Sequence, residues 1–351
     1  MVKTMEIHKF SDIALSDPFF DSLKADYPGF SKWYEKKSVE NARAYIQKNE
    51  KGLLQAFLYL KVEQEALTDI EPTMPAANRL KVGTFKIDAH NTKLGEFFVK
   101  KIMQAAVYKE VDEVYVTIFA KHEALIKLLQ RYGFEERGKK GDELVLVRPI
   151  KQRSNDVLRD YPFVHTEGKR KFLLAIKPEY HTRLFPDSIL NTEQREKDYL
   201  VRDVAHTNSI HKIYVCRMKE VGQLHRDDVL VIYRMSDGAG PAYYRSVISS
   251  VCVVEEIKKK SDFANIGEYL KYANAYSVFG EDELRKLYEQ PDLVVIKMTY
   301  NAAFDRRVIR KELLEKVGIA SDKYWGFFQL TDEQFNKITS IGKVNESLIV
   351  N

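Results

Sequence analysis

Between Leu80 and Phe134 the apolar positions change period in an ordered way. Val82, Thr84 (or Phe85) and Ile87 sit in a short β-favouring run that predicts a strand. A polar loop follows, Ala89-His90-Asn91-Thr92-Lys93. Beyond it Leu94, Phe97, Phe98, Val99, Ile102, Met103 and Val107 recur at three- and four-residue spacing, which predicts a helix with one apolar face. Asp112–Phe119 then predicts a strand and His122–Leu129 a helix. Arg131-Tyr132-Gly133-Phe134 turns into a last strand over Leu144–Val147.

Upstream, Met5–Phe10 predicts a first strand. Ser16-Asp17-Pro18 is a capped helix start, and Tyr27-Pro28-Gly29 ends that helix. Phe30–Tyr34 and Val39–Gln47 read as a second helical segment, Gly52–Val62 as a strong strand, and Asp69–Ala77, with two prolines, as a loop. Downstream, the polar stretch Pro149–Tyr161 marks a boundary. Short strands are then expected over Phe172–Ile176, Lys212–Met218, Val229–Tyr233, Tyr243–Val254 and Leu293–Met298, with turn residues between them. Helices are expected over Gly280–Tyr288, Val308–Lys316 and Thr331–Ile338, the last opened by a Thr331/Gln334 capping box. The pattern divides the chain into an α/β domain over 1–150, a linker over 151–165 and an α+β domain over 166–345. Short strands with a few helices suggest that the second domain is a small β-barrel with helical decorations.

The length of 351 residues agrees with two domains. Charge says little about partners: 56 basic against 51 acidic residues leave +5, which permits a nucleic acid without requiring one. Cys216 and Cys252 are the two cysteines, too few for a disulfide framework and without a CxxC pair, which favours a reducing, cytoplasmic setting. Met1–Phe10 has no signal-peptide core. The longest apolar stretch, Gly52–Leu60, is broken by Gln55 and is too short to span a bilayer.

A strand that opens through a loop into a helix N-terminus is a ready anion site, because first-turn amides lack helical partners and the dipole is positive there. The amides of Lys93–Glu96 would form that cradle, Lys93 adds a full charge, and Gly95 permits close approach. The plainer reading is an ordinary strand–helix connection. His122 fits either an acid or base near neutral pH or a surface residue at a helix start. In the second domain Lys169-Arg170-Lys171, Arg183, Arg202, His206, His211, Lys212 and Arg245 form a scattered basic set beside Tyr180, Tyr199, Tyr243 and Tyr244. It reads as a nucleic-acid groove with charge and stacking, or as a solvated surface. His206, His211 and His225 match no zinc spacing, and no metal is expected.

The order strand, loop, helix, strand, helix, Gly133-Phe134 resembles the acetyl-CoA-binding core of the GNAT N-acetyltransferases, over roughly residues 1–150. The family loop, Gln/Arg-x-x-Gly-x-Gly/Ala, falls on His90, Lys93 and Gly95, and of these the last glycine matches. The resemblance implies a GNAT fold, a mixed sheet flanked by helices. It places acetyl-CoA at Phe85, Ile87, His90, Lys93, Leu94, Gly95 and Glu96. A backbone amide of the Lys81–Ile87 strand would polarise the thioester carbonyl, and an amine would attack it directly, with Glu63, Glu65 and His122 as base candidates by position. The family's usual tyrosine acid, four residues before the glycine of Gly-Phe, is Leu129 here. Tyr132 lies on another helix face and does not replace it.

In the second domain Leu224–Arg234 has the form polar turn, Asp, apolar strand, Tyr-Arg. Ser246–Glu255 and then Tyr276-Ser277-Val278-Phe279-Gly280-Glu281-Asp282-Glu283-Leu284 follow. In that order they resemble the PUA-like superfamily, in its ASCH or EVE branch, over about residues 170–340. The resemblance implies contact with nucleic acid through Arg183, Arg202, His206, Lys212, Tyr243 and Arg245. The ASCH signature Gly-x-Lys-x-x-Glu-x-Arg is absent from His181–Ser188, which argues against an amidohydrolase. Together the two resemblances imply an acetyl-CoA-dependent N-acetyltransferase whose second domain presents RNA, such as tRNA, or an RNA-bound protein. The alternative is a non-catalytic GNAT domain beside a nucleic-acid-binding one.

Overall fold

The computed structural model of the chain describes residues 6–49, 51–88, 93–188 and 209–350. They form two compact units, Met1–Arg153 and Ser154–Asn351.

The first unit is built on one sheet, in the order β1 (Glu6–Lys9), β2 (Arg43–Lys48), β3 (Leu54–Glu63), β4 (Arg79–Ile87), β5 (Glu113–Phe119), β7 (Glu143–Pro149) and β6 (Glu135–Lys140). Neighbours are antiparallel except β4 and β5. A parallel pair needs a crossover, and α3 (Leu94–Tyr108) supplies it. Its apolar stripe, predicted from the spacing, buries Phe98, Val99, Ile102 and Met103, and Phe98 packs on Phe85 with ring centroids 5.3 Å apart. Between β1 and β2 lie α1 (Asp21–Asp26) and α2 (Phe30–Val39); α4 (Glu123–Arg131) follows β5. Phe10, Phe20, Tyr34 and Phe57 make an aromatic core.

In this unit one stretch expected as helix is a strand. The helical reading of Val39–Gln47 fails because α2 stops at Val39 and Asn41 takes φ 53°. Arg43–Lys48 is β2, with Ala44 and Ile46 buried at period two and strands on both sides. A two-residue period supported by pairing on both edges outweighs local helix preference.

The feature that shapes the unit lies in the middle of the sheet. β4 and β5 pair only over Arg79–Val82 and Glu113–Val116. On its other edge β4 stays with β3 as far as Ile87 opposite Ala56, but the register slips where Tyr59 faces Thr84 and Leu60 faces Val82. Gly83 is therefore the extra residue of a β-bulge, which bends the strand. A Cβ on Gly83 would stand 2.8 Å from Cδ1 of the buried Tyr59 ring.

The second unit carries a six-stranded sheet in the order β10 (His211–Cys216), β13 (Val294–Ile309), β12 (Val247–Lys259), β11 (Val229–Arg234), β9 (Lys171–Ile176) and β14 (Phe327–Leu330). The short β8 (Val164–His165) pairs with β15 (Ile349–Val350). The expected β-barrel is not formed: among the described residues the sheet ends at β10 and β14, which do not pair. Both faces are covered instead. Leu230 and Ile232 of β11 point into one core with Phe172 and Leu174, while Val229, Val231 and Tyr233 point into another with Phe335 and Ile338. Every residue of β9 and β11 is buried, so a run that looked like short barrel strands is a two-sided core strand. The strand expected to start at Tyr243 starts at Val247, after one helical turn over Ala242–Arg245. The helix expected from Val308 starts at Arg310, after a 16-residue strand.

Residues 154–165, expected as a linker, fold onto the second unit around Asp160. Its carboxylate accepts from Ser154 N, Ser154 Oγ, Asn155 N and His165 Nε2 at 2.7–3.0 Å. Burial alone would raise its pKa; these hydrogen bonds win and hold it below the usual carboxylate value. Among the described residues no helix is long and apolar enough to cross a membrane.

Gly83→Ala is expected to lower stability by about 1–3 kcal/mol, because the added methyl must displace the Tyr59 ring. Denaturant unfolding of the two proteins measures this; an unchanged midpoint means the bulge does not depend on glycine.

Candidate functional site

Where β4 and β5 part, a cleft of about 1230 Å³ opens in the first unit. One wall is β4 from Val82 to Ile87, continued by Asp88, and the other is β5 from Val116 to Phe119. Gly95 of α3 and Ala124, Leu125 and Leu128 of α4 add apolar lining, and Tyr27, Phe30 and Trp33 line it with Asp142 and Glu143. Beyond Val82 and Val116 the strand edges facing the gap no longer pair with each other. Backbone donors and acceptors on such an edge are available to an extended ligand, which can sit between the strands as another strand would.

Of the expected cofactor residues, Phe85, Ile87 and Gly95 line this cleft, and Lys93, Leu94 and Glu96 do not. Lys93 stands at the N-cap of α3, beside the cleft-lining Gly95. Glu96 is buried in the first turn of α3. His90 lies outside the described residues. The glycine at 95 has a second reason to be there: a Cβ would come 2.7 Å from Cδ2 of Leu128, so it also sets the approach of α3 to α4.

The two expected catalytic residues separate. His122 lines the cleft at the start of α4, with Nε2 3.8 Å from Asp26 Oδ2. Glu63 is not at the cleft. It faces Arg79, at the end of β4 remote from the gap. There it accepts from Tyr115 Oη and from Lys61 Nζ, with Lys81 Nζ 3.9 Å away. Burial raises its pKa, but the Tyr115 and Lys61 hydrogen bonds win and keep it ionised below the usual carboxylate value. A carboxylate so held is a structural ion pair and does not serve the cleft as a base. Leu129 has no proton to give and Tyr132 is fully buried and does not line the cleft, so neither presents an acid to it.

The sequence reading missed the charged mouth. Tyr27 Oη donates to Glu143 Oε1 at 2.8 Å, and the Tyr27 ring packs on Phe119 at 5.0 Å. Burial first, then the Glu143 carboxylate, pushes the Tyr27 phenol well above its ordinary pKa, so it stays a donor. Lys121 Nζ donates to Asp26 Oδ1 at 2.5 Å. Tyr27 and Glu143 are 116 positions apart, and no local periodicity links them. The one trace in the sequence is that Tyr27 ends a helix, a place where loops carry function.

In the second unit the expected nucleic-acid residues that are described do not assemble into an open basic groove. Lys212 is 1% exposed, its ammonium 5.7 Å from the Tyr300 ring and 6.0 Å from that of Phe185. Arg245 is held by both carboxylate oxygens of Asp237, and Tyr243 Oη donates to Glu315. Arg183 lies half-buried on α5 (Pro178–Leu184). Arg202 and His206 are outside the described residues. His211 is buried against Glu255, which also binds Lys297 at 3.0 Å.

The polar side chains of this region form a buried chain instead. His181 Nε2 meets Ser249 Oγ at 2.6 Å, Ser249 meets Ser250 at 3.2 Å, Ser250 donates to Ser188 at 3.0 Å, and Ser188 meets Tyr300 Oη at 2.9 Å. Burial, with lesser effects of Arg234 and Arg307, pushes the His181 pKa down to about 3. It is neutral when folded.

No protein-family model matches the sequence, and no curated protein matches it. Solved structures similar to parts of the chain fall into two groups. PaiA N-acetyltransferase from Thermoplasma acidophilum in complex with coenzyme A is 11% identical, with a TM-score of 0.31 over 42% of this chain and 99% of that one. A GNAT family acetyltransferase from Elizabethkingia anophelis with acetyl-CoA bound is 14% identical, with a TM-score of 0.29 over 41% and 97%. ASCH from Zymomonas mobilis is 10% identical, with a TM-score of 0.33 over 51% and 98%.

His181 gives a pH test of the fold. Its pKa is lower folded than unfolded, so the unfolded chain takes up the proton first. Stability is full above about pH 6.5 and is lost as pH falls toward 3, at about 1.4 kcal/mol per pH unit. Denaturant unfolding of the second-unit transition at pH 7 and pH 5 should show a drop of about 2 kcal/mol that His181→Gln lacks. Equal pH dependence in both proteins would contradict the neutral buried imidazole.

Proposed function

We propose that the first unit is an N-acyltransferase using acetyl-CoA as donor. The observation that carries this is the parting of β4 from β5 at Gly83, next to the N-terminus of α3. The residues present fit such a group. Gap-facing backbone groups along Gly83–Ile87 suit the amides of an extended arm. The dipole of a 15-residue helix, with Lys93 at its N-cap, suits a diphosphate. Acetyl-CoA, when bound, supplies an activated acyl group on a thioester. A β4 amide then polarises the acyl carbonyl, and Leu125 and Leu128 keep water from that side. The acceptor amine is positioned for direct attack. With Leu129 and Tyr132 buried, the departing sulfur takes its proton from solvent, on the cleft side where the exposed His122 stands.

In the same proposal the second unit brings in the acceptor, on RNA or on an RNA-associated protein, as its PUA-like pattern implies, and the acidic lining of the first-unit cleft favours an amine over the nucleic acid itself. The burial of Leu129 and Tyr132 also favours a second reading. In it the first unit binds acetyl-CoA or nothing, performs no transfer, and the second unit binds nucleic acid.

Titration calorimetry of acetyl-CoA into the full chain tests the proposal. Binding on the order of micromolar is expected. Lys93→Glu should weaken it about tenfold through loss of one charge-assisted contact. Lys93→Glu is a cleaner control than Gly95→Trp, whose side chain would collide with Leu128 whatever the cofactor does. No binding to the unaltered chain would remove the enzyme reading and leave the second.

A further inference from the structure

Resting on the N-acyltransferase reading, we infer that the acceptor is a cationic amine on an apolar or aromatic body, anchored by the Glu143 carboxylate, and not a nucleobase. The lining of the cleft decides this. Five carboxylates line it, from Asp26, Asp88, Glu123, Asp142 and Glu143, against the lysines at 86, 121 and 140. Those lysines are already engaged. Lys86 binds the Phe19 carbonyl and Asp88, Lys121 binds Asp26, and Lys140 turns away to Asp69, which is not part of the cleft.

Asp26, Asp88 and Glu123 lie beside Lys121, Lys86 and Lys127, whereas Asp142 and Glu143 do not, and of these two Glu143 is the half-buried one. Its partner is the uncharged Tyr27 phenol, and among the described residues no lysine or arginine pairs with it. It sits opposite Phe119 in the β5–β7 ladder, at the end of the strand whose other edge bounds the gap. A cation placed there gains a carboxylate that no described lysine or arginine neutralises. The surrounding rings, Tyr27, Phe30, Trp33 and Phe119, offer faces to a cation and surface to an apolar body. A phosphodiester chain meets the opposite: carboxylates at the entrance and lysines already paired.

The chemistry balances with the groups named. Glu143 takes one proton from the ammonium and frees the nitrogen lone pair. The N–C bond forms at the thioester carbonyl, the C–S bond breaks, and the sulfur leaves as thiolate and is protonated from water. The amide nitrogen sheds a second proton to solvent, and Glu143 returns its own.

The test is thiol release from acetyl-CoA by the full-length protein with three probes: 2-phenylethylamine, glucosamine and bulk tRNA. The expected result is turnover of 2-phenylethylamine with kcat/KM about tenfold or more above glucosamine, and no acetyl label on tRNA. Glu143→Gln should raise KM for the amine about tenfold while the acetyl-CoA Kd stays unchanged. Tyr27→Phe, which keeps the ring, should raise it less. Acetylated tRNA without amine turnover, or an unchanged amine KM in Glu143→Gln, overturns the inference. Acetyl-CoA binding with no amine turnover overturns the inference and leaves the cofactor site standing. No acetyl-CoA binding removes the N-acyltransferase reading itself.

Discussion

The first unit depends on one packing constraint, the contact between Gly83 and the Tyr59 ring. With no side chain at 83, β4 keeps its antiparallel partner β3 through a bulge and bends off its parallel partner β5. A straight β4 would continue the ladder past Val82 and Val116, and the backbone groups that bound the cleft would be spent on each other. The apolar stripe of α3, held on β4 by Phe98 against Phe85, then fixes where the helix begins relative to that gap. Bulge, gap and helix start are thus parts of one arrangement.

Electrostatics divide the cleft into two halves of different character. Gly95, Ala124, Leu125 and Leu128 give it an apolar stretch beside the start of α3 and Lys93, although Glu123 of α4 also lines it. The side formed by Tyr27, Phe119 and Glu143 is aromatic and acidic. If donor and acceptor bind as proposed, these differences in lining would favour one orientation of the pair.

The second unit spends its polar residues differently. Lys212, charged in the sequence, is buried, while Arg245 and Tyr243 stay partly exposed and are engaged by the carboxylates of Asp237 and Glu315. The chain from His181 through Ser249, Ser250 and Ser188 to Tyr300 satisfies buried hydroxyls on one another, which a polar group away from water requires. Composition could not show this, because a buried lysine and a surface lysine look alike in a string of residues.

What the sequence determined by itself is the local periodicity. The three- and four-residue spacing from Leu94 to Val107 specified α3, and the apolar run Gly52–Val62 specified the strand beside it, because those patterns express one buried face of one element. Tertiary pairing decided the rest. Arg43–Lys48 became a strand because strands lie on both of its edges. Among the described residues the second sheet is open, with cores on both of its faces. Glu63 left the candidate site and Glu143 entered it through the strand registers, which set Glu63 against Arg79 and Glu143 against Phe119. Register is a property of two chain segments meeting, and no single segment carries it.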